Sequence, residues 1–174
     1  MFEISLLIMV SAIAISIVWS TLILGISPMP SSNKARHAML KLTEETGDGR
    51  IFELGSGWGN IVLALAKKYP DREIVGYELS LVPWLTSILV TKIYGVNNVK
   101  IYRKNFLAAD LSEASVILCY LFPAGMNTIE KKLTSQPETA NYLISNNFAL
   151  MSQVPHKTIV LNDLYHSPIY LYKL

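Results

Sequence analysis

The sequence has a single cysteine, Cys119, among its 174 residues. One cysteine excludes an internal disulfide, which fits a reducing compartment, and its apolar neighbours predict a core position. The three histidines, His37, His156 and His166, are scattered, and no His/Cys cluster has metal-site spacing. A Gly-x-Ser-x-Gly nucleophile elbow and a P-loop lysine motif are also missing. We therefore expect no metal, no serine-hydrolase chemistry and no P-loop nucleotide site.

Charged residues make up only 16% of the chain, and none lies between Ile4 and Ser27. About 20 apolar residues suffice to span a bilayer, so residues 1–27 are predicted to form a transmembrane anchor and residues 28–174 a single globular domain. A cleaved signal peptide and a buried core helix are the alternatives. A signal peptide should begin with basic residues, whereas this segment carries Glu3 and no Lys or Arg, and no convincing A-x-A cleavage site follows it.

The basic residues all follow the apolar segment, and Lys34, Arg36 and Lys41 lie nearest to it. Because positive flanks stay on the cytoplasmic side, we expect a single-pass membrane protein with its globular domain in the cytoplasm or, by analogy, the mitochondrial matrix. That domain has 15 basic against 12 acidic residues, a net charge of +3. So weak a charge does not favour nucleic acid, and the basic patch indicates contact with the lipid bilayer.

Residues Ile51 to Asn60, I-F-E-L-G-S-G-W-G-N, form the most informative motif. A short apolar strand is predicted to carry Glu53 near its end, and Gly55, Gly57 and Gly59 follow at alternate positions. Glycine allows a tight turn and a close approach of the backbone to a ligand. The helix predicted next would present free N–H groups at its start. The pattern indicates a ligand-binding loop between a strand and a helix.

The acids around this loop indicate the ligand. The nicotinamide-dinucleotide fingerprint has G-x-G-x-x-G spacing, and Glu53 would repel its pyrophosphate. A second acid, Glu78, closes the next predicted strand, where a carboxylate can accept hydrogen bonds from ribose hydroxyls. The pair suits a ligand with an ammonium group and a ribose, such as S-adenosylmethionine. The alternative is a tight turn and an unrelated surface carboxylate, but the two acids occur at consecutive strand ends.

The rest of the chain alternates between strand and helix patterns. Strands are predicted at Arg50–Leu54, Glu73–Tyr77, Val99–Tyr102, Val116–Leu121, Tyr142–Ser145, Thr158–Asn162 and Ile169–Tyr172. Helices are predicted at Asn33–Thr46, Asn60–Lys68, Val82–Tyr94 and Ala124–Lys132, with Ser32 or Asn33 as the first cap. This order predicts an α/β fold, a Rossmann-like and mostly parallel sheet with right-handed crossovers.

The motifs resemble those of a known enzyme family. E-L-G-S-G-W-G-N and G-Y-E-L-S at Gly76–Ser80 look like the first two motifs of class I, seven-strand S-adenosylmethionine-dependent methyltransferases. P-M-P-S-S at Pro28–Ser32 and the run Asn105–Pro123, behind an apolar N-terminal segment, are similar to small membrane-anchored protein-lysine methyltransferases. Mitochondrial members modify the ATP synthase c-subunit and the adenine nucleotide translocase. The resemblance implies an antiparallel last strand, which agrees with the hairpin-length turn at Asp163–Pro168.

The resemblance also implies which residues bind the cofactor S-adenosylmethionine. They are Glu53, Gly55, Ser56, Gly57, Gly59, Glu78, Leu79, Asn105 and Phe106. Family members usually have Asp at the position of Glu53 and an acid at the position of Asn105. Both departures keep a hydrogen-bond acceptor, and Asn105 adds a donor.

The segment C-Y-L-F-P, Cys119–Pro123, ends the fourth predicted strand, where ligands bind in open α/β sheets. Methyl transfer from an activated sulfonium needs mainly an aligned nucleophile, and burial promotes loss of the proton from lysine. Tyr120, Phe122 and Pro123 are therefore predicted to line a lysine channel, with cation–π contact to the methylated product. The alternative is that these residues belong to the core.

We expect methyl transfer from S-adenosylmethionine to a lysine of a membrane protein, at a membrane bilayer. A methyltransferase for a lipid, quinone or other small hydrophobic acceptor is one alternative. A non-enzymatic cofactor-binding or assembly protein is another, and the intact Glu53, Gly55, Gly57 and Glu78 count against it.

Overall fold

The computed structural model describes residues 1–24, 29–136 and 140–174, and seven strands in these ranges form one sheet. The strands are β1 Arg50–Leu54, β2 Ile74–Glu78, β3 Val99–Arg103, β4 Ala114–Cys119, β5 Tyr142–Asn146, β6 Lys157–Val160 and β7 Pro168–Lys173. Their order is β3-β2-β1-β4-β5-β7-β6. The first five are parallel, and β7 runs antiparallel to both of its neighbours. The predicted mostly parallel, Rossmann-like sheet with an antiparallel last strand is confirmed.

Helices cover both faces of this sheet. They are α2 Asn33–Leu42, α3 Asn60–Lys68, α4 Leu81–Ile93 and α5 Pro123–Ser135, and a further helix, α1 Phe2–Leu24, contacts α4. Leu65 of α3 lies in one hydrophobic core and Ile129 of α5 in the other. Right-handed crossovers produce this division, because the strand order reverses between β1 and β4. β2 is buried along its whole length, as expected of a parallel strand that is covered on both faces.

Several element boundaries differ from those predicted, and two of these differences have a local cause. Helix α2 begins at the predicted cap, where the Ser32 hydroxyl accepts a hydrogen bond from the Ala35 N–H at 3.1 Å. The helix ends at Leu42 and continues as a 3₁₀ turn over Thr43–Glu45, whereas the pattern predicted an α-helix to residue 46. Strand β4 ends at Cys119 and not at residue 121, because the chain turns there toward a proline at the start of α5.

The apolar N-terminal segment forms α1, but no helix within the described ranges is long and apolar enough to cross a membrane. The predicted transmembrane anchor over residues 1–27 is therefore wrong, and so is the predicted single-pass membrane localisation. Hydroxyl groups interrupt the apolar run: Ser5 and Thr21 donate hydrogen bonds to backbone carbonyls four residues earlier, at 3.0 and 2.9 Å. The predicted boundary at residues 27 and 28 lies outside the described residues.

Candidate active site

A cavity of about 330 Å³ opens at the carboxyl ends of β1, β2 and β4. This edge is where open α/β sheets bind ligands, beside the reversal of strand order. The structure brings ten of the twelve residues predicted for the site into its walls. They are Glu53, Gly55, Ser56, Gly57, Glu78, Leu79, Asn105, Phe106, Tyr120 and Phe122. The two predicted site residues that are not in the walls are Gly59 and Pro123.

The glycine loop between β1 and α3 depends on backbone angles that favour glycine. Gly55, Gly57 and Gly59 have φ values of 76°, 51° and 80°, in a region that side chains disfavour. Gly59 caps the start of α3, and a Cβ atom there would lie 2.8 Å from the Cβ of Ser87 in α4. Gly59 thus serves the packing of two helices, whereas Gly55 and Gly57 face the cavity.

Glu78, the last residue of β2, fixes this loop from the neighbouring strand. One carboxylate oxygen accepts a hydrogen bond from the Gly57 N–H at 2.8 Å, and the other accepts one from the Ser80 N–H at 2.7 Å. Each carboxylate oxygen has two lone pairs, so each retains the capacity to accept a further hydrogen bond. Glu78 therefore holds two segments of the cavity wall and can still bind hydroxyl groups inside it.

Glu53, on β1, places a buried carboxyl group beside the loop. The residue is only 5% exposed, and its Oε2 atom has no hydrogen-bond partner among the described residues. Burial raises the pKa of this carboxyl well above its ordinary value, a backbone hydrogen bond from Val62 lowers it, and the nearby Glu78 raises it further. Ser56 Oγ is likewise buried without a partner in the described part of the chain. Such unpaired buried atoms are rare, and they suit a ligand that brings a cationic donor group.

The segment after β3 forms another wall of the cavity. Asn105 Oδ1 accepts a hydrogen bond from the Leu107 N–H at 3.0 Å and so caps a 3₁₀ turn over Phe106–Ala108. This turn places Phe106 in the cavity wall and also packs it against the hydrophobic core. The amide of Asn105 retains its NH₂ donors for a ligand.

Two aromatic residues line the cavity on the connection from β4 to α5. Tyr120 and Phe122 are both in the wall, whereas Pro123 is the first residue of α5. The ring of Tyr120 lies nearly parallel to that of Phe148, with 6.4 Å between centroids and 19° between planes. The cavity wall thus combines these aromatic rings with the carboxyl groups of Glu53 and Glu78.

Sequence reasoning missed several residues of the cavity wall. Trp58 and Lys104 each adjoin a predicted site residue, so their positions in the motifs were the available signal. Met29 and Ser31, before α2, come to the cavity only through the fold. Asn146 at the end of β5 donates a hydrogen bond to Ser31 Oγ at 3.2 Å, which ties this segment to the sheet edge.

Cys119 is a core residue, as predicted, with 1% of its surface exposed. Burial raises the pKa of its thiol to about 12, the hydrogen bond with Ser145 lowers it, and nearby Glu53 raises it. A thiol with so high a pKa supplies no nucleophilic thiolate at neutral pH. In the described ranges, no group of three or more His, Cys, Asp or Glu residues is placed to hold a metal ion.

Residues 53–157 match the family model of the ANTKMT methyltransferase domain. A protein-lysine N-methyltransferase of Saccharolobus islandicus is 25% identical over 147 residues, which are 83% of this chain and 91% of that protein. The adenine nucleotide translocase lysine N-methyltransferase of Mus musculus is 29% identical over 110 residues, 62% of this chain. The match covers 47% of the mouse protein, about half its length.

Solved structures give the same fold. An RNA methyltransferase from Salinibacter ruber, in complex with S-adenosyl-L-homocysteine, has a TM-score of 0.74 and 25% identity, covering 83% of this chain and 93% of that one. A dimethyladenosine transferase from Plasmodium falciparum has a TM-score of 0.57 and 13% identity, covering 67% of this chain and 42% of that one. The second likeness concerns the fold alone.

The cavity fits the cofactor that these relatives imply. The unpaired Glu53 oxygen can accept a hydrogen bond from the ammonium group of S-adenosylmethionine. The spare lone pairs of Glu78 can accept hydrogen bonds from the ribose hydroxyls of the same cofactor. The family match covers more than half of the chain. The chain belongs to the ANTKMT methyltransferase family, and it is an S-adenosylmethionine-dependent methyltransferase.

Proposed function

We propose that this enzyme transfers the methyl group to a lysine side chain of a protein. The observation that supports this most directly is that the wall of one cavity carries two chemically different sets of side chains. One set is the carboxyl groups of Glu53 and Glu78, and the other is the aromatic rings of Tyr120 and Phe122. We assign the first set to a cationic nucleoside cofactor and the second to the aliphatic stem of lysine. The names of both curated relatives include a lysine acceptor.

On the cofactor side, we assign the ammonium group to Glu53 and the ribose hydroxyls to Glu78. The N–H of Gly57 is already committed to Glu78, so the loop is fixed before the cofactor binds. This arrangement lowers the entropic cost of ordering the loop on binding. Leu79, Asn105 and Phe106 then form the remaining wall on this side.

The bound cofactor supplies a methyl group on a positively charged sulfonium, which needs no further activation by the protein. The task left for the residues is to align the lysine nitrogen and to exclude water. Tyr120 and Phe122 would surround the lysine stem and favour the neutral amine, since a charged amine is disfavoured in an apolar pocket. Their ring faces would also stabilise a methylammonium product by cation–π contact. Pro123 would fix the direction of Phe122 at the start of α5.

The finer proposal is that the acceptor is a membrane protein. The anchor predicted from the sequence no longer supports it. The name of the mouse relative, which refers to an adenine nucleotide translocase, does support it. A lipid or quinone acceptor drew its support from the same anchor and has no relative named for it among those above. RNA is the acceptor named for the Salinibacter ruber enzyme, so it belongs among the measured outcomes.

The test uses the purified full-length enzyme, tritiated S-adenosylmethionine, and membrane and soluble fractions from cells that lack the enzyme. Label should enter protein, and mass spectrometry should locate it on lysine. Phe122→Ala should reduce this transfer at least tenfold while changing the dissociation constant of the cofactor much less, because the ring lies on the acceptor side. Tyr165→Ala, at a side chain that is 83% exposed, is the control. Label confined to lipid or RNA would refute the lysine acceptor.

A further inference from the structure

The chain makes an unusual turn where β5 ends, beside the cavity. Asn147 has a φ of 70°, which is uncommon for a residue other than glycine. The Phe148 N–H donates a hydrogen bond to the Asn146 carbonyl at 2.9 Å. A bond across two residues with positive φ at the centre has the features of the classic γ-turn, which is rare and strained. Strain of this kind persists where surrounding contacts enforce it, often at functional sites.

Glu130 of α5 enforces the loop that follows this turn. Its Oε1 atom accepts hydrogen bonds from the N–H and the hydroxyl of Ser152, at 2.8 and 2.6 Å, and its Oε2 accepts one from the Met151 N–H at 3.0 Å. Glu130 is only 7% exposed. Burial alone would raise the pKa of this carboxyl, but the hydrogen bonds from Ser152 and Met151 outweigh burial and lower it. Glu130 thus remains a carboxylate that clamps the loop.

Two further hydrogen bonds hold the loop over residues 147–152 to the sheet. The Ser145 hydroxyl donates to the Phe148 carbonyl at 2.6 Å, and the Tyr172 hydroxyl accepts from the Leu150 N–H at 3.0 Å. Ser145 and Tyr172 are fully buried on the adjacent strands β5 and β7. The loop is therefore fastened to the sheet and to α5.

The fastened loop holds the Phe148 ring against Tyr120. Tyr120 lines the cavity, whereas Phe148 is not one of the lining residues in the described chain. With 6.4 Å between centroids and 19° between planes, the ring of Phe148 supports that of Tyr120 from outside the cavity. Stacked rings of this kind favour defined relative geometries. Phe148 can therefore influence an acceptor in the cavity through the orientation of Tyr120.

We propose that Phe148 is a positioning residue for methyl transfer, which fixes the ring of Tyr120 on the acceptor side, and that Glu130 fixes Phe148 through the 147–152 loop. This inference rests on the proposed acceptor side of the cavity. Methyl transfer depends on alignment, and small misplacements of the acceptor cost rate rather than cofactor affinity. Loss of the Phe148 ring should therefore lower turnover and leave the affinity for the cofactor nearly unchanged.

The kinetic test compares Phe148→Leu with Phe148→Tyr in the full-length enzyme. Leu keeps an apolar side chain but loses the planar ring, whereas Tyr keeps the ring. At saturating tritiated cofactor, Phe148→Leu should lower turnover by about tenfold, with the KM and the dissociation constant of the cofactor within twofold of wild type. Phe148→Tyr should keep turnover within about twofold of wild type, because this variant retains the stacked ring. Tyr165→Leu is the matched control for loss of an exposed ring.

Glu130→Gln should give the same split between turnover and cofactor affinity, because an amide cannot accept at both ends. Glu44→Gln, at an exposed glutamate that pairs with Lys68 on the surface, is its control. The double variant of Glu130→Gln and Phe148→Leu should lose little more turnover than the slower single variant, since both substitutions act through the ring of Tyr120. Equal losses of turnover and cofactor affinity would show a merely structural role and overturn the proposal, as would unchanged turnover.

Methyl transfer is measured in the fraction, whether protein, lipid or RNA, that the wild-type enzyme labels. The comparison of the variants with wild type therefore remains decisive even if the acceptor is not lysine. A second readout needs no acceptor. Ring-¹³C tyrosine signals, with Tyr120 assigned by Tyr120→Phe, should shift or broaden at Tyr120 in Phe148→Leu and remain unchanged in Tyr165→Leu. An unperturbed Tyr120 signal in Phe148→Leu would refute the contact on which the proposal depends.

Discussion

Binding of S-adenosylmethionine should release a proton from Glu53. In the free enzyme this carboxyl is buried and one of its oxygens has no hydrogen-bond partner in the described chain, so its pKa lies well above the ordinary value. The ammonium group of the cofactor would supply both a partner and a positive charge, which favour the carboxylate. We therefore expect the enzyme to bind the cofactor and lose a proton in one linked step.

The magnitude follows from this linkage. While pH lies below the raised pKa of Glu53, each pH unit changes the fraction of carboxylate about tenfold, worth about 1.4 kcal/mol. The affinity for the cofactor should thus rise by up to about tenfold per unit as pH increases toward the raised pKa of Glu53. An α-amino group itself titrates at a pKa of about 7.7–8.0, so the window ends there.

Calorimetry can measure the proton directly. Titrations at one pH in phosphate and in Tris, whose ionisation enthalpies differ, should give an apparent binding enthalpy that depends on the buffer, with up to one proton released. Glu53→Gln keeps the shape of the side chain but cannot ionise, so it should bind more weakly, release no proton and lose the pH dependence. A wild-type enzyme with no proton release and equal affinity at pH 6 and 7.5 would refute the role of Glu53.

The same carboxyl predicts how pH affects stability. Because the folded-state pKa of Glu53 is raised, its contribution to the free energy of unfolding is fully present below the unfolded pKa of about 4.3 and is lost as pH rises through the folded pKa. The cofactor should offset this loss by pairing the ionised group. Thermal unfolding should therefore show a larger increase of Tm on adding cofactor at pH 7.5 than at pH 6, and an equal increase would contradict it.

Three further variants and probes test other parts of the site. Glu78→Ala removes the acceptor for the Gly57 and Ser80 N–H groups. Hydrogen bonds to charged groups are worth about 1.5–3 kcal/mol, so calorimetry should show at least tenfold weaker cofactor binding. Unchanged binding would argue against a role for Glu78. Gly59→Ala, with φ of 80° and a contact of 2.8 Å to Ser87, should lower the free energy of unfolding by about 2 kcal/mol or more in urea. Cys119 should resist a thiol reagent at pH 8 in the native enzyme and react once the chain is unfolded, because burial raises its pKa to about 12; rapid native labelling would contradict its placement.

The part of the cavity wall around the glycine loop could be predicted because its requirements are local. Positive φ at Gly55 and Gly57 demands glycine, and a parallel sheet brings the ends of β1 and β2 to one edge, where Glu53 and Glu78 lie. The mostly parallel sheet followed from the alternation of apolar runs with helix patterns. Such features involve short stretches of chain whose residue types are restricted by backbone geometry.

The parts that escaped prediction depend on contacts between distant residues. Glu130 and Ser152 are 22 positions apart, and no periodic pattern relates them. The strained turn at Asn147 has no distinctive residue type, since asparagine occurs in many ordinary turns. Apolar composition alone also misled the interpretation of α1, because no helix over the described residues is long and apolar enough to span a bilayer.

The position of β7 inside the sheet determines the order in which the sheet can be assembled. β6 precedes β7 in the chain, yet it lies at the edge and pairs with β7, which separates it from β5. During synthesis, β1 to β5 can pair as they leave the ribosome, but β6 has no partner until residues 168–173 have emerged. The half of the sheet that carries the glycine loop can therefore form first, while β6 remains unpaired. An unpaired strand of this kind makes a nascent chain prone to aggregation.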